Sequence, residues 1–541
     1  SFFVFFVFVF VVNRSGRVGG AETCWFNMST AYRTWVVCSP GLEGVLKKEL
    51  KSLLGLNRKR FLSPILTGKH AKVSTKGGVE CWLPPADLHL VNTHSSVAEN
   101  VRVRVGKPFR AKYWNELIKG LEMIPANAFI APGTDVKVRV VSNKSRLVHS
   151  KAVEERVHKF LDSKFQAERS ESEGNDAPVV DNMDGPDTDT LQPEEQQPQS
   201  GVEDESVPTR HRRRRRKARI AESTPVSATM HVQLLKDYCQ VSMDASGTGP
   251  HRLHNRGFRV NIGRAPIRET LAAGCWKAAR QDLHNLVPAE SPVHVWDPFC
   301  GSGTMLLEAF LHEHNSSSST TLPAGMSRII EAAASNEHGG NIVYRVQLWP
   351  GFPDVSTFPT PRAVDEVNFG GESQAKSMFT GSDISKVELK AARANTANLK
   401  HLMRRYLELG DTKGPIPFGD VESLVQNYIR EKFNFFVGDA SDGAFDKLSA
   451  SEATNEAAHP LVVFTNLPYG QRAGLSRPKL KTFLEDLVRF GEANSRAVAM
   501  YAITPLSSEQ LSASSPSAMR WKNVLRFKNG GLSVNLVGGH I

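Results

Sequence analysis

The sequence has few cysteines and no apolar run long enough for a membrane helix, and each absence excludes a class of protein. The six cysteines among 541 residues are scattered, without a CxxC pair. A disulfide framework or a structural zinc site is therefore not expected, and a reducing compartment fits better. The apolar segment Ser1–Val12 is shorter than the roughly 20 residues of a membrane-spanning helix and lacks the basic start of a secretory signal. We expect no membrane and no metal partner.

The sequence begins with Ser, and its first methionine is Met28. We interpret Met28 as the natural start, which makes residues 1–27 an artefact of the gene model. The domain prediction therefore sets residues 1–28 apart as an extension.

Charge is distributed unevenly along the chain. The formal net charge is +11, yet residues 166–205 carry a strong excess of acids, whereas the run RHRRRRRKAR (210–219) is basic except for Ala218. The folded remainder is therefore more basic than the average indicates, which favours a polyanionic partner, although charge alone fits a soluble basic protein equally well. The Arg run is typical of a solvated tail, a nuclear import signal or an RNA clamp.

Four segments follow the extension. Residues 32–165 are predicted to be α+β: the runs at 101–105 and 136–141 alternate Val with basic residues as half-exposed strands do, and 145–161 is predicted to be a helix. Residues 166–224 have too few large apolar residues to fold and are predicted to be a linker. Residues 228–290 contain a strand pair and a helix starting near Pro266.

Residues 291–541 alternate short apolar runs with helical patterns. The strand-like runs are PVHVW (292–296), MFTGSD (378–383), FNFFVGD (433–439), LVVFTN (461–466) and AVAMYAIT (497–504). This alternation predicts a parallel, doubly wound sheet that binds ligands at the carboxyl ends of its strands. Two stretches, 313–376 and about 401–430, are predicted to be surface excursions.

Polar residues follow four of these runs. DPFCGSGT (297–304) lies between a strand and a helix, and its glycines allow a ligand to approach the backbone and the helix N-terminus closely. Asp383 ends the next strand, where an acidic side chain accepts hydrogen bonds from ribose hydroxyls, although Asp383 or Ser385 could equally cap the following helix. Asp439 follows the third run and would meet an adenine amine.

The fourth motif is TNLPYG (465–470). The amide oxygen of Asn466 and the carbonyl before Pro468 can accept both hydrogens of an exocyclic amine. Tyr469 offers a face for base stacking, worth about 1–3 kcal/mol. His312 and His314 have no supporting cluster and are predicted to form a solvated helix end rather than a metal site.

Together, DPFCGSGT, GSD, GDA and TNLPYG resemble class I S-adenosylmethionine-dependent methyltransferases that act on exocyclic amines. GPHRLHNRGFRVNIGRAPIRETLAAG (249–274) is similar to the segment before the catalytic domain of THUMP-containing guanine-N2 RNA methyltransferases. SPGLEGVLKKEL, GGVECW and SNKSRLVHSKAVEERV resemble the ferredoxin-like and THUMP regions of the bacterial large-subunit ribosomal RNA enzyme. The resemblance implies an α/β chain: a C-terminal doubly wound, Rossmann-like methyltransferase domain (291–541) preceded by an α+β ferredoxin-like/THUMP module.

The resemblance also implies roles for individual residues. The S-adenosylmethionine site would comprise Asp297, Phe299, Gly301, Gly303, Thr304, Asp383 and Asp439. The catalytic group would comprise Asn466, Leu467, Pro468 and Tyr469. RNA contacts would come from Lys144, Arg146, Lys151 and Arg259. Leu467 replaces the first of two prolines common in the bacterial pattern, a tolerable change because its backbone carbonyl would act.

The resemblance implies methyl transfer to N2 of a guanine in structured RNA, with large-subunit ribosomal RNA preferred. Transfer RNA, N6-adenine methylation of DNA, and a catalytically inactive RNA-binding assembly factor are the alternatives. We expect an intracellular monomer in the nucleus, nucleolus or cytoplasm; an organelle with its own ribosomes is a further alternative.

Overall fold

The computed structural model describes residues 31–55, 76–131, 133–173, 227–247, 252–288, 291–317, 322–330, 349–350, 352–353, 377–409, 418–452, 459–469, 475–494 and 496–541. These residues form two β-sheets. One contains the strands that precede residue 250, and the other contains the strands of residues 291–541. No helix in these ranges is long and apolar enough to cross a membrane.

Strands from both sides of the predicted linker form one six-stranded sheet in the order β2-β1-β3-β6-β5-β4. Its strands are β1 (Tyr32–Val37), β2 (Gly78–Leu83), β3 (Asn100–Arg110), β4 (Asp135–Asn143), β5 (Ser227–Leu235) and β6 (Tyr238–Asp244). Neighbours are antiparallel except β4 and β5, which are parallel. The alternation in β3 buries Val101 and Val103 on one face and places Arg102 and Arg104 on the opposite face, as the sequence predicts, although both Arg side chains are largely buried rather than half-exposed.

Helices of this first unit contact the sheet: α1 (Glu43–Leu54), α2 (Pro85–His94), α3 (Trp114–Glu122) and α4 (Ser150–Glu173). The predicted helix at 145–161 is wrong at both ends. Lys144 has a φ of +51°, and Ser145 donates to the Asn143 carbonyl and accepts from the Asp237 N–H, so these residues form a turn. The helix also continues to Glu173, so the linker does not begin at 166. Residues 174–226 lie outside the described part.

The second sheet has seven strands in the order β12-β13-β11-β10-β7-β8-β9. These are β7 (His294–Asp297), β8 (Met378–Asp383), β9 (Phe433–Val437), β10 (Leu461–Asn466), β11 (Val498–Thr504), β12 (Arg520–Asn529) and β13 (Leu532–His540). Strands β7 to β11 are mutually parallel, as predicted. The prediction omits the antiparallel pair β12–β13, which joins the sheet through β11.

The helices of this unit are α5 (Glu269–Leu283), α6 (Thr304–Ser317), α7 (Lys386–Leu409), α8 (Phe418–Lys432), α9 (Ala444–Glu452), α10 (Arg477–Ala493) and α11 (Ser508–Ser512). Helix α5 begins three residues after Pro266, because the backbone at Arg268 is extended and the Ile267 carbonyl accepts from Arg259. The glycine-rich loop connects β7 to α6, and α7 follows β8, which is the predicted strand–loop–helix order.

The two predicted surface excursions are wrong where the structure describes them. Residues 401–430 include the end of α7 and most of α8, and Met403, Val425 and Ile429 are buried against the core. In the 313–376 stretch, Leu322, Met326 and Trp349 are buried, and most of the remainder lies outside the described residues. Both stretches bring apolar side chains to the core, which a surface excursion would not do.

A continuous apolar core joins the two units. It runs from Leu46 of α1 to Leu306 of α6 and Leu536 of β13. Polar contacts reinforce the junction: Lys277 of α5 lies 3.4 Å from the carboxylate of Glu49 on α1. The fully buried guanidinium of Arg256 pairs with Glu308 of α6 at 3.1 Å and also donates to the carbonyls of Ser95 and Ser96. The first unit is therefore fixed to the second through α5 and α6.

Candidate active site

Three parallel strands end at one edge of the second sheet with a polar residue. Asp297 ends β7, Asp383 ends β8 and Asn466 ends β10. Because β7 pairs in parallel with both β8 and β10, these three ends lie side by side. The structure therefore brings the predicted motifs together at the carboxyl edge, where ligands bind in open α/β sheets.

The glycine-rich loop turns sharply between β7 and α6. Gly301 and Gly303 have φ values of +52° and +81°, which side chains adopt rarely. A Cβ at Gly303 would press on Ala392 of α7 at 3.3 Å. The hydroxyl Oγ1 of Thr304, the first residue of α6, is buried and makes no hydrogen bond to any residue in the described part of the chain. Phe299 is half-buried, with its ring 6.0 Å from that of Phe483.

Asp297 is fully buried between the strand ends. Its Oδ1 accepts hydrogen bonds from the Thr465 hydroxyl at 2.6 Å and from the Phe299 N–H at 3.1 Å. Burial nevertheless raises the pKa of Asp297 to about 7, and the nearby charge of Asp383 acts in the same direction. A cationic group beside this carboxyl would favour its ionised form.

Asp383 connects the glycine-rich loop to α7. Its Oδ2 accepts from the Gly301 N–H at 3.1 Å, and its Oδ1 accepts from the Ser385 N–H at 2.8 Å. Ser385 in turn accepts from the Glu388 N–H at 3.3 Å, so Ser385 caps the helix. The carboxylate of Asp383 is half-exposed, which leaves it able to accept further hydrogen bonds.

Asp439 lies two residues beyond β9 and is more engaged than the sequence indicates. Its Oδ1 accepts from the N–H and the hydroxyl of Ser441, and its Oδ2 lies 3.3 Å from the ammonium of Lys479. The hydrogen bonds from Ser441, together with Lys479, hold the pKa of Asp439 below its ordinary value. Its contact with an adenine amine stays a prediction.

The residues after β10 form the polar side of the site. Oδ1 of Asn466 is buried and makes no hydrogen bond within the described residues. Leu467 is buried and its N–H donates to the Ile503 carbonyl, while the Pro468 carbonyl accepts from the Leu475 N–H. The hydroxyl of Tyr469 accepts a 3.1 Å hydrogen bond from Nδ2 of Asn529. Burial raises the pKa of Tyr469, so the phenol stays neutral.

Two functional candidates on α7 were missed from the sequence. Asn395 is fully buried: its amide oxygen accepts from the N–H groups of Val260 and Asn261, and its amide nitrogen donates to the Ser302 carbonyl at 2.9 Å. Glu388 accepts from the Arg264 N–H with Oε1, and its buried Oε2 makes no hydrogen bond to the residues that the structure describes. Asn395 therefore ties the segment before α5 to the glycine-rich loop, and Glu388 ties the same segment to α7. No local pattern in the sequence indicates these contacts, because their partners lie more than 90 residues away along the chain.

The predicted RNA contacts lie in two separate places. Lys144, Arg146 and Lys151 are exposed around the turn between β4 and α4, and the Arg146 guanidinium lies 4.9 Å from the centre of the Tyr113 ring. Arg259 is instead occupied within the chain: it pairs with buried Glu269 at 3.2 Å and donates to the Ile267 carbonyl. A role for Arg259 toward cofactor or RNA stays a prediction.

The face of the six-stranded sheet opposite its core is basic and concave, around a cavity of about 230 Å³. Across the strands of this face, Arg104 of β3 pairs with Ser242 of β6, Ser242 pairs with His231 of β5, and His231 pairs with Arg139 of β4. The cationic lining residues are Arg33, Lys76, Arg102, Arg104 and Arg139, with Glu80 the acidic one. The Arg104 guanidinium lies 5.1 Å from the centre of the Trp35 ring. We call these residues the basic sheet face.

His312 and His314 are not a solvated helix end, so that prediction is wrong. His314 is buried and its Nδ1 lies 3.0 Å from the Tyr428 hydroxyl, while Nδ1 of His312 lies 3.2 Å from Glu313. The apolar face of α8 covers this end of α6, which the sequence pattern did not indicate. Among the residues that the structure describes, no cluster of His, Cys, Asp or Glu could hold a metal ion.

The glycine-rich loop, Asp383, Glu388 and Asn395 all fall within a match to a known family. Residues 256–410 match the family described as UPF0020, RMKL-like, methyltransferase domain. The match covers 155 of the 541 residues. The methyltransferase match ends before β10, so Asn466 and Tyr469 lie outside it.

Curated relatives agree with this assignment over short stretches. The chain is 46% identical over 94 residues to YpsC of Bacillus subtilis, a candidate RNA methyltransferase, which is 17% of this chain and 22% of that protein. It is 42% identical over 86 residues to the ribosomal RNA large subunit methyltransferase K/L of Vibrio parahaemolyticus, 16% of this chain and 11% of that protein. The matches thus span under a quarter of either relative.

Solved structures resemble nearly the whole chain. A candidate methylase from Clostridium difficile has a TM-score of 0.55 at 20% identity, covering 94% of this chain and 98% of that one. A candidate methyltransferase complexed with S-adenosylhomocysteine also gives 0.55, at 17% identity, with coverage of 94% and 98%. At these identities the likeness shows a shared fold. The folds of the two units therefore occur together in other chains.

Proposed function

We propose that this chain transfers the methyl group of S-adenosylmethionine to the exocyclic N2 of a guanine in RNA, with large-subunit ribosomal RNA as the preferred substrate. The observation that carries the proposal is the buried Oδ1 of Asn466, which has no hydrogen-bond partner among the described residues. A buried acceptor without a donor is costly, and a bound amine would satisfy it.

The residues at the strand ends fit S-adenosylmethionine, whose sulfonium supplies an activated methyl group when bound. The cofactor carries ammonium and sulfonium cations, which carboxylates attract. The carboxyl groups of Asp297, Asp383 and Glu388 lie close to the glycine-rich loop: burial raises the pKa of Cys300 most, and the charges of these three groups raise it further. Gly301 and Gly303 keep the loop free of side chains. Thr304 Oγ1, which has no partner in the ranges that the structure describes, adds a hydroxyl at the start of α6.

The chain's contribution to transfer is alignment. Asn466 Oδ1 and the Leu467 carbonyl would each accept one hydrogen of the amine, which directs the nitrogen lone pair toward the methyl group. Tyr469 would stack on the guanine. Its raised pKa and its bond with Asn529 make the hydroxyl unsuitable as a general base. The excess proton would leave to solvent after transfer, and the guanine must be unpaired or flipped out to reach Asn466.

RNA as the substrate is supported by the basic sheet face, whose five cationic residues outnumber its acidic one. Burial lowers the pKa of Arg104 to about 10, so this guanidinium remains charged at neutral pH. Lys and Arg that neutralise phosphates gain free energy by counterion release. The preference for large-subunit ribosomal RNA follows the name of the Vibrio parahaemolyticus relative, and we assign the first unit the role of a THUMP-type RNA-binding module.

Label transfer tests the proposal. Purified protein is incubated with methyl-labelled S-adenosylmethionine and, in separate reactions, ribosomal RNA, transfer RNA and DNA, and the digested nucleosides are separated. We expect label in N2-methylguanosine from ribosomal RNA. Label in N6-methyladenosine would refute guanine as the target base. Label in transfer RNA alone would refute ribosomal RNA as the substrate. Absence of label with cofactor binding intact would favour the assembly factor.

A further inference from the structure

The ring of Tyr469 is held by a residue from the C-terminal hairpin of the sheet. Asn529, the last residue of β12, donates a 3.1 Å hydrogen bond from Nδ2 to Oη of Tyr469. Tyr469 follows β10, which is three strands away from β12 across the sheet. The contact therefore joins the catalytic loop to the edge of the sheet.

The position of Asn529 is set by the hairpin itself. Side chains alternate along β12, so Asn529 shares the face of Phe527, which is 2% exposed, while Arg526 and Lys528 are exposed on the other face. Asn529 pairs with Leu532 across a two-residue turn in which Gly530 and Gly531 have φ values of +57° and +88°. Two consecutive positive φ values are typical of a tight type I′ hairpin turn, which leaves the end of β12 little freedom.

A loop of the first unit packs against the backbone of β12. Gly41, with a φ of +106°, lies so close that a Cβ there would collide with the Arg526 carbonyl and lie 2.9 Å from Cα of Phe527. The carboxylate of Glu43 holds this loop by accepting from the N–H groups of Gly41 at 2.9 Å and Gly77 at 2.6 Å. The strand that presents Asn529 is thus supported along its backbone.

We propose that Asn529 is a positioning residue that fixes the direction of the Tyr469 ring for stacking on the target base. The inference rests on the proposed function for the identity of that base. A hydrogen bond at Oη restricts the swing of the ring about the Cα–Cβ bond, while the ring packs against the apolar core and stays partly exposed. Stacking requires an accessible ring held in a fixed direction, and the hydrogen bond supplies the direction.

Fluorine NMR and steady-state kinetics of the full chain test this role. The protein is labelled with 3-fluorotyrosine, and the Tyr469 resonance is assigned by its loss in Tyr469→Phe. Asn529→Ala should shift that resonance and lower kcat about tenfold or more, with cofactor affinity and Tm nearly unchanged. Asn529→Asp should restore much of both, because its carboxylate can accept a hydrogen bond from the Tyr469 hydroxyl.

A double variant separates positioning from a general structural role. If Asn529 acts through the Tyr469 hydroxyl, Asn529→Ala should cost no further activity in the Tyr469→Phe background. Full additivity of the two losses, or an unmoved Tyr469 resonance in Asn529→Ala, would overturn the inference. The resonance test does not depend on methyl transfer, so an inactive wild-type chain would refute the proposed function while the role of Asn529 is still decided.

Discussion

The hydroxyl of Thr465 donates a 2.6 Å hydrogen bond to Oδ1 of Asp297, which links the ends of β10 and β7. The bond opposes the effect of burial on the pKa of Asp297. It also joins the strand that presents Asn466 to the strand that begins the glycine-rich loop. Strand β10 therefore contributes to the protonation state of Asp297, although burial has the larger effect on its pKa.

Removing that hydroxyl should move the pH at which the cofactor binds. The ionised Asp297 favours a cationic ligand, so affinity for S-adenosylmethionine should rise as pH increases through about 7. Thr465→Val removes a hydrogen bond to the ionised form and should shift the midpoint upward. Isothermal titration between pH 5.5 and 9 measures it. Thr380→Val, in a buried strand and bonded to His294 instead, should leave the midpoint in place; equal midpoints in all three proteins would contradict the prediction.

Asp297→Asn should stabilise the fold while weakening cofactor binding. The folded chain holds the proton of Asp297 up to a pKa of about 7, whereas the unfolded chain releases it near the ordinary value of 3.8. Folding stability due to this group therefore falls as pH rises from about 4 to 7. The Asn side chain carries no charge to bury. The Tm of the Asp297→Asn variant should therefore exceed that of the wild type by at least about 2 °C at pH 8 and by less at pH 5. A constant difference at both pH values would disprove this account.

Asn395→Ala should weaken cofactor binding without direct cofactor contact. The amide of Asn395 joins the Ser302 carbonyl of the glycine-rich loop to the N–H groups of Val260 and Asn261, so truncation leaves buried polar groups unpaired, at about 1–3 kcal/mol each. We expect a lower Tm and binding of S-adenosylhomocysteine that is weaker by at least about tenfold. Asn494→Ala, which removes a bond to the Phe490 carbonyl at the end of α10, is the control and should spare binding.

Reversing charge on the basic sheet face should weaken RNA binding and lower its salt dependence. Arg139 is exposed on β4 within this face. Arg139→Glu should lower RNA affinity and reduce the slope of log K against log salt by about 1 or more, with cofactor affinity unchanged. Arg489→Glu makes the same charge change on exposed α10, beside Asp486, and serves as the control. Equal losses in both variants would show a non-specific charge effect.

Much of the fold was predictable from local patterns. The runs ending at Asp383 and Asn466 match β8 and β10 residue for residue, because short apolar stretches that end in polar residues have few other structures open to them. The antiparallel β12–β13 pair and the burial of α8 were missed, since both depend on packing partners distant in sequence. The turn at Lys144 and Ser145 was missed because its bonds reach Asp237, some 90 residues along the chain.

The site shows the same division. Motifs identify Asp297, Asp383 and Asn466 because their chemistry follows strand ends in sequence. Asn395 and Asn529 act through contacts with loops more than 50 residues away in the chain, and no local pattern distinguishes them from other Asn residues. Arg259 illustrates the opposite error. Its place in a motif that resembles RNA methyltransferases indicates a contact with cofactor or RNA, but in the structure its guanidinium pairs with Glu269.

The central claim is tested most directly by the rate of N2-methylguanosine formation in the wild type and in Asn466→Ala, on unmodified large-subunit ribosomal RNA at saturating S-adenosylmethionine. Because Oδ1 of Asn466 makes no hydrogen bond within the described residues, its loss should not lower Tm and should leave cofactor affinity unchanged. The account predicts N2-methylguanosine from the wild type and a rate at least about 100-fold lower from the variant. A variant rate within about twofold of the wild type, or label in another nucleoside, would contradict it.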